Sequence, residues 1–304
     1  MEGLLYSDVL DEWVGEHKLK VMASTIYNYR KALPSIKQYF DGIYMQDITT
    51  DMLYDYIQFL KQKYSIQTCA RTYCKILQLS FKYAMKKRYL MYNPVEDVAV
   101  PKNVRAEIFP FSEDDMTAVL KQDTLDWVKH AVVIAYHTGM RLGEIFSLKW
   151  SDINFEMGFI MVQRAQSRAC SKVILKCPKT KAGVRRIDID TFLNSYLSKM
   201  KEACGNCEYV FPPSPRSKYP FRVPYNISQY LRSMCVRAGV VPRNFHQIRH
   251  THATVLMAHG VHPKVVQERL GHSSIKVTLD IYSHVSPTLQ KEAVKVFENI
   301  FMGG

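Results

Sequence analysis

Apolar residues in the first hundred positions recur at alternating steps of three and four, the spacing of an amphipathic helix. Ile26, Tyr29, Leu33, Ile36 and Phe40 mark one such face, with Ser24 standing where an N-cap would. Thr50 is placed to cap a second helix running to about Leu60. A third, longer pattern ends near Asn93 and Pro94. In it Cys69, Tyr73, Ile76, Leu77 and Ala84 fall on one side of the helix, and Arg71, Lys75, Lys82 and Lys86 fall on the other. From Ala99 to Pro110 the periodicity stops and two prolines appear, which predicts a linker and a boundary between domains 1–104 and 105–304.

The second domain opens on residues 112–115 (SEDD), which read as a capping box. A helix from about Leu125 to Thr138 follows, ended by Gly139. Between Phe159 and Ile189 the pattern changes to short β-prone runs, FIMVQR, SKVILKC and VRRIDI, separated by polar turns. Helical spacing resumes after Tyr225. Ser286 and Pro287 would start a final helix, on which Leu289, Ala293, Val296, Phe297 and Ile300 form an apolar stripe. The expected fold is mainly α with a small antiparallel β-sheet, in two domains.

Charge changes this picture more than composition does. The chain has 304 residues, with 41 Lys and Arg against 28 Asp and Glu, a net charge of +13 that favours a polyanionic partner. The excess is clustered. Residues 61–90 hold eight cations and no acid, residues 157–187 another eight with none, and no carboxylate occurs from Tyr209 to Gln267. A row such as Arg71, Lys75, Lys82 and Lys86 suits the phosphates of nucleic acid. Seven cysteines without regular spacing fit free thiols better than a disulfide framework. No apolar run approaches the ~18 residues that span a bilayer, and the N-terminus lacks the pattern of a signal peptide. A cytoplasmic protein, associated with the nucleoid through DNA, is the expectation.

Several chemistries lose their support at once, because the chain has no phosphate-cradling glycine loop, no dinucleotide fingerprint and no nucleophile elbow. His246 and His250 have the spacing of a zinc helix, yet Gln247 stands where a metalloprotease needs its glutamate base. Cys204 and Cys207 form a lone pair with no partner pair, and we read them as loop residues. No metal and no cofactor is expected. What remains is a set suited to holding phosphate. His246 and Arg249, three apart on one helix, share a face; Arg141 follows a helix-ending glycine; His272 lies in a turn entering a helix, with Tyr282 ten residues on.

Four blocks together, TGMRLGEIFSLKWSDI around Arg141, HQIRH from His246, LGHSS from Leu270 and DIYSH around Tyr282, resemble the tyrosine recombinases, the integrases of phages and conjugative elements. They occur in that family's order and at similar spacings. The first hundred residues also resemble its helical, SAM-like core-binding domain, with STIYNY at 24–29, DIT at 47–49 and the closing Asn93 and Pro94.

The resemblance implies a core-binding domain over 1–104 and a mixed α/β catalytic domain over 105–304 that ends in an exchanged helix. Arg141 and Arg249 would clamp the scissile phosphate, His272 would add a hydrogen bond, His246 would move a proton, and Tyr282 would be the nucleophile. The family's hairpin lysine, the acid for the leaving oxygen, falls on Lys179 or on Lys181, with Lys179 aligned better. Lys172, Lys176, Lys181 and Arg185, together with the earlier Arg71 row, would grip DNA. The implied partners are double-stranded attachment sites, four protomers joined on DNA through the C-terminal helix, and an excision or DNA-bending factor. The chain begins at the core-binding helices, so an arm-binding domain is missing or was never present. Resolution of chromosome dimers, type IB topoisomerase chemistry and a DNA-binding protein that has lost catalysis are the alternatives left open.

Overall fold

The computed structural model describes residues 3–19, 21, 23–101, 110–169, 172–177 and 183–282, with only the backbone of 23, 24, 168, 169 and 280–282. The chain divides into two compact units, 1–106 and 107–304, the short stretch 168–172 grouping with the first. No helix among the described residues is long and apolar enough to cross a membrane.

The first unit is helical: α1 (Tyr6–His17), α2 (Ala23–Tyr39), α3 (Thr50–Lys63), α4 (Ile66–Thr68) and α5 (Cys74–Lys86). α2 already begins at Ala23, so Ser24 lies within its first turn and is not its cap. The cap of α3 is Thr49, whose hydroxyl accepts from the Met52 amide, and Thr50 is the first helical residue. The long third pattern is also broken. A π-turn at Cys69–Tyr73 joins α4 to α5, and α5 stops at Lys86, well before Asn93. The stop is local: Arg88 takes φ 62°, and the amides of Arg88 and Tyr89 turn back to the carbonyls of Met85 and Ala84. The helical spacing still sorts the side chains as expected, because Cys69, Tyr73, Ile76, Leu77 and Ala84 are buried among Tyr6, Phe40, Tyr56 and Phe81. The buried Tyr6 hydroxyl is satisfied by Ser80 at 2.9 Å.

In the second unit Ser112 and Asp115 close the expected capping box of α6 (Glu113–Leu120). Next comes α7 (Asp126–Thr138), whose Val128, Ala131, Val132, Ile134 and Ala135 are all buried. It is the central helix of the unit, apolar on most of its circumference because it is covered on most of it. The single turn of α8 (Leu142–Ile145) follows.

The β region forms two small sheets. β1 (Ile153–Asn154), β2 (Phe159–Val162) and β5 (Arg185–Asp188) pair antiparallel in the order β1-β2-β5, with Ile160 opposite Ile187. β3 (Ala165–Ala169) and β4 (Lys172–Lys176) make a separate pair. Then come α9 (Thr191–Cys204), α10 (Ile227–Arg237), α11 (Phe245–Ala258), α12 (Pro263–Leu270) and α13 (Ile275–Tyr282). α11 packs on α7, and α13 packs on both α11 and α12. Lys179, Lys181, the linker centre at 102–109 and the stripe from Leu289 to Ile300 lie outside the described residues.

Candidate active site

The site is built where three helices meet their caps. α7 ends at Gly139, whose φ of 65° needs glycine; a Cβ there would stand 2.5 Å from Leu270 Cδ2 and 2.7 Å from His252 Cδ2. That turn aims the Gly139 carbonyl at the buried Arg249, which donates to it through Nη1 at 2.8 Å and to the Leu270 carbonyl through Nη2 at 2.6 Å. Arg249 is 2% exposed and sits on α11, whose start is fixed by a box between Asn244 and Gln247. Gln247 therefore has a local structural duty as a capping partner, which accounts for its identity between the two histidines. Burial, and then the charge of Arg141, push the Arg249 pKa down, so this cation would gain from a facing anion.

Arg141 opens α8. Its amide donates to Glu144 Oε2 at 2.9 Å, its Nη1 to Glu144 Oε1 at 2.8 Å and its Nη2 to the Gly271 carbonyl at 3.2 Å. Its side chain remains 41% exposed, so the guanidinium is oriented yet accessible. His272 is 8% exposed, and its Nδ1 meets the buried Thr278 hydroxyl at 2.9 Å. With Nδ1 accepting from Thr278, the proton of a neutral imidazole sits on Nε2 and can be donated. Burial, then the charges of Arg249 and Arg141, push the His272 pKa down to about 3. His246 stands exposed at the rim, where desolvation by the surrounding protein and the same two arginines lower its pKa. With Arg249 and Asn244 it lines a recess of about 230 Å³. Its ring meets His250 edge-on, with centroids 4.8 Å apart.

The structure thus brings Arg141, His246, Arg249 and His272 together. Tyr282 ends α13, which packs on the helix that carries Arg249. Among the proposed DNA contacts, Arg71, Lys75, Lys82, Lys86 and Lys172 are exposed and Lys176 is half-buried.

Arg185 is a correction. It is 8% exposed, and instead of facing DNA it donates to both oxygens of Glu144, at 3.2 and 2.9 Å, and to the Arg269 carbonyl at 2.7 Å. Strand alternation decides this: Arg185 and Ile187 point inward from β5, while Arg186 and Asp188 point out and pair with each other at 2.6 Å.

Glu144 is the residue that our sequence reasoning missed. It is 3% exposed and joins Arg141 to Arg185. Burial works against its charge, but the hydrogen bonds and charge of Arg185, with those of Arg141, hold its pKa below the usual carboxylate range. An acid three residues after the first residue of a turn was the available signal. Arg141 and Arg185 pair with this one carboxylate and Arg249 feels its charge, so three guanidiniums share one acid and leave a local excess of positive charge, with Arg249 lining the recess.

Arg269 and His252 brace the floor. His252 Nδ1 donates to the Tyr136 carbonyl at 2.7 Å, and its Nε2 accepts from Arg269 at 3.0 Å, a pattern that only a neutral ring satisfies. Burial, then the Arg269 charge, push its pKa down to about 4. Both His252 and His272 therefore refuse a proton that the unfolded chain accepts near pH 6.5. A lowered histidine pKa stabilises the fold above the unfolded value and loses that stability as pH falls towards the folded one. We expect a loss on the order of 2 kcal/mol per residue by about pH 5, read from urea unfolding at pH 7 and pH 5. A midpoint that does not move between these pH values would contradict the buried neutral pair.

The sequence profile of the phage integrase family matches residues 111–288, and that of the phage integrase SAM-like domain matches residues 5–102. The chain belongs to the phage integrase family, the tyrosine-type site-specific DNA recombinases. Among relatives of this integrase family, the chain is 28% identical over 301 residues to the tyrosine recombinase XerC-like protein of Caldanaerobacter subterraneus, covering 90% of this chain and 76% of that one. It is 27% identical over 281 residues to the ICEBs1 integrase of Bacillus subtilis, covering 87% and 74%. Its fold is similar to that of the Tn1549 transposon integrase in complex with a circular intermediate DNA, with a TM-score of 0.80 at 20% identity, covering 97% of this chain and 99% of that one. A lambda integrase tetramer bound to a Holliday junction gives a TM-score of 0.73 at 19% identity, with 92% and 78% covered.

Proposed function

We propose that this recombinase integrates or excises a mobile DNA element, cutting one strand at a time through Tyr282. The observation that carries the reading is the excess of guanidinium charge near Glu144, with the accessible Arg141 beside it and Arg249 lining the same recess as His246. Such a site takes a phosphodiester and stabilises the additional charge of a pentacoordinate transition state.

In this reading the Tyr282 oxygen attacks phosphorus, forming a 3′-phosphotyrosyl bond as the bond to the 5′ oxygen breaks. His246, held neutral by its surroundings, takes the tyrosine proton. Lys179, or Lys181 two residues on, returns a proton to the leaving 5′ oxygen. Arg141 and Arg249 hold the non-bridging oxygens, and His272 donates from Nε2. The new bond keeps the energy of the one broken, so a 5′-hydroxyl from another strand reverses the step without ATP. The domain 1–104 would bind the duplex through the Arg71 row, and 105–304 would carry the chemistry.

Similarity to the ICEBs1, Tn1549 and lambda integrases favours a mobile element as substrate. The lambda tetramer further suggests four protomers on paired attachment sites, here joined through residues 286–304, with an excision or DNA-bending factor as an additional partner. Deleting 286–304 should abolish recombination between two sites while single-site DNA binding persists, and unchanged assembly on paired sites would remove the exchanged helix from the scheme.

The test is capture on a nicked suicide duplex made from the ends of the element that carries the gene. A covalent protein–DNA adduct should form in chelator and without nucleotide. Failure to form one on either end, or a requirement for magnesium, would sink the reading.

A further inference from the structure

The structure sorts the cations of residues 61–90 into two kinds. Lys61 donates to Gln58, Lys63 lies over the rings of Phe59 and Tyr64, and Lys87 is bridged to Glu12 and Glu16. The side chains of Arg71, Lys75, Lys82, Lys86 and Arg88 are exposed and have no hydrogen bond or ion pair to any described residue, the first four forming one row. Gln78 stands in the same row, three residues after Lys75 and four before Lys82, exposed and equally without a partner among the described residues. With Lys75 and Lys82 it borders a groove of about 670 Å³ floored by Leu79, Val95 and Val98.

Lysine and arginine on phosphates position a protein along DNA without reading its sequence, so a site-specific enzyme needs other side chains for that. An unpaired carboxamide supplies the chemistry: its Nε2 can donate to adenine N7 while its Oε1 accepts from adenine N6. Lys75 and Lys82 are seven residues apart, about 10.5 Å along the helix axis, close to the ~12 Å width of the major groove. Two lysines at that separation can reach the phosphates on either edge while the glutamine between them faces the bases.

We propose that Gln78 is a specificity-determining residue of this recombinase, reading an adenine of the recombination site from the major groove between phosphates held by Lys75 and Lys82. The proposal rests on the DNA-recombinase reading above, and it assigns to α5 a part of target choice that the cationic row alone could not supply.

The experiment is selection from a pool of duplexes with a randomised central segment, using the full chain, Gln78→Ala and Gln78→Arg at one salt concentration. The native chain should enrich a motif containing an invariant adenine. Gln78→Ala should lose discrimination at that position alone, by about 5-fold to 100-fold, with affinity for random duplex and its salt dependence unchanged. Gln78→Arg should shift the same position to guanine, which a guanidinium reads through O6 and N7. Gln78 is exposed, so both variants should keep the native circular dichroism spectrum. An unchanged motif in Gln78→Ala, or a uniform loss of affinity for every duplex, overturns the assignment. If the native chain enriches no motif the assignment also falls, and adduct formation on the suicide duplex then decides separately whether the recombinase reading stands.

Discussion

Replacing Tyr282 with phenylalanine should abolish covalent capture of DNA and leave duplex binding intact. Phenylalanine keeps the ring and its packing volume and removes the oxygen that, in the proposed mechanism, attacks phosphorus. Tyr282 is the last described residue of α13, and α13 packs on the helices that carry Arg249 and lead into His272. The measurement compares the native chain with Tyr282→Phe on the nicked suicide duplex at equal DNA occupancy. The native protein should give an adduct resolved on a denaturing gel, and the variant none. Adduct formed by the variant, or one that maps to Tyr225 or Tyr230, would move the nucleophile elsewhere.

Glu144→Ala should cost about 3 to 5 kcal/mol of stability, because it leaves the guanidinium of Arg185 buried without its counter-charge. The same change removes both hydrogen bonds from Arg141 to Glu144 and leaves the guanidinium its bond to the Gly271 carbonyl, so cleavage should fall beyond what the loss of folded protein explains. Urea unfolding measures the first effect, and adduct formation per folded molecule measures the second. Glu144→Ala combined with Arg185→Met should recover most of the stability, since the cost lies in the orphaned charge, but none of the cleavage. If Glu144→Ala costs less than about 1 kcal/mol, the scale of a solvent-exposed pair, the buried hub is wrong.

Local pattern was legible where burial follows a short period. The two faces of residues 69–86 came out as read, with Cys69, Tyr73, Ile76, Leu77 and Ala84 inside and the Arg71 row outside, even though a π-turn precedes α5. The capping box at Ser112 and the left-handed stop at Gly139 were legible for the same reason: each is satisfied within one turn of chain. Boundaries were less so. Thr49 and Thr50 are chemically identical, and only the path of the chain before α3 decides which of them caps it. Likewise the positive φ of Arg88 ends α5 with no glycine to announce it.

Residue types and their order along the chain were enough for the family, the helical character and the excess of positive charge, and they named the candidates for holding phosphate. Tertiary structure alone decided which cations are free. Arg185 and Arg186 are neighbours in one basic run, yet β5 turns the first onto Glu144 and the second out to Asp188. Lys86 and Lys87 differ in the same way, one in solvent and one bridged to α1. The pairs Arg185–Glu144 and Lys87–Glu16 are contacts across many residues of chain, so their desolvation and their partners are set only when the fold closes. For that reason charge counted along a sequence can name the partner class, but the surface that meets the partner is chosen by the packing.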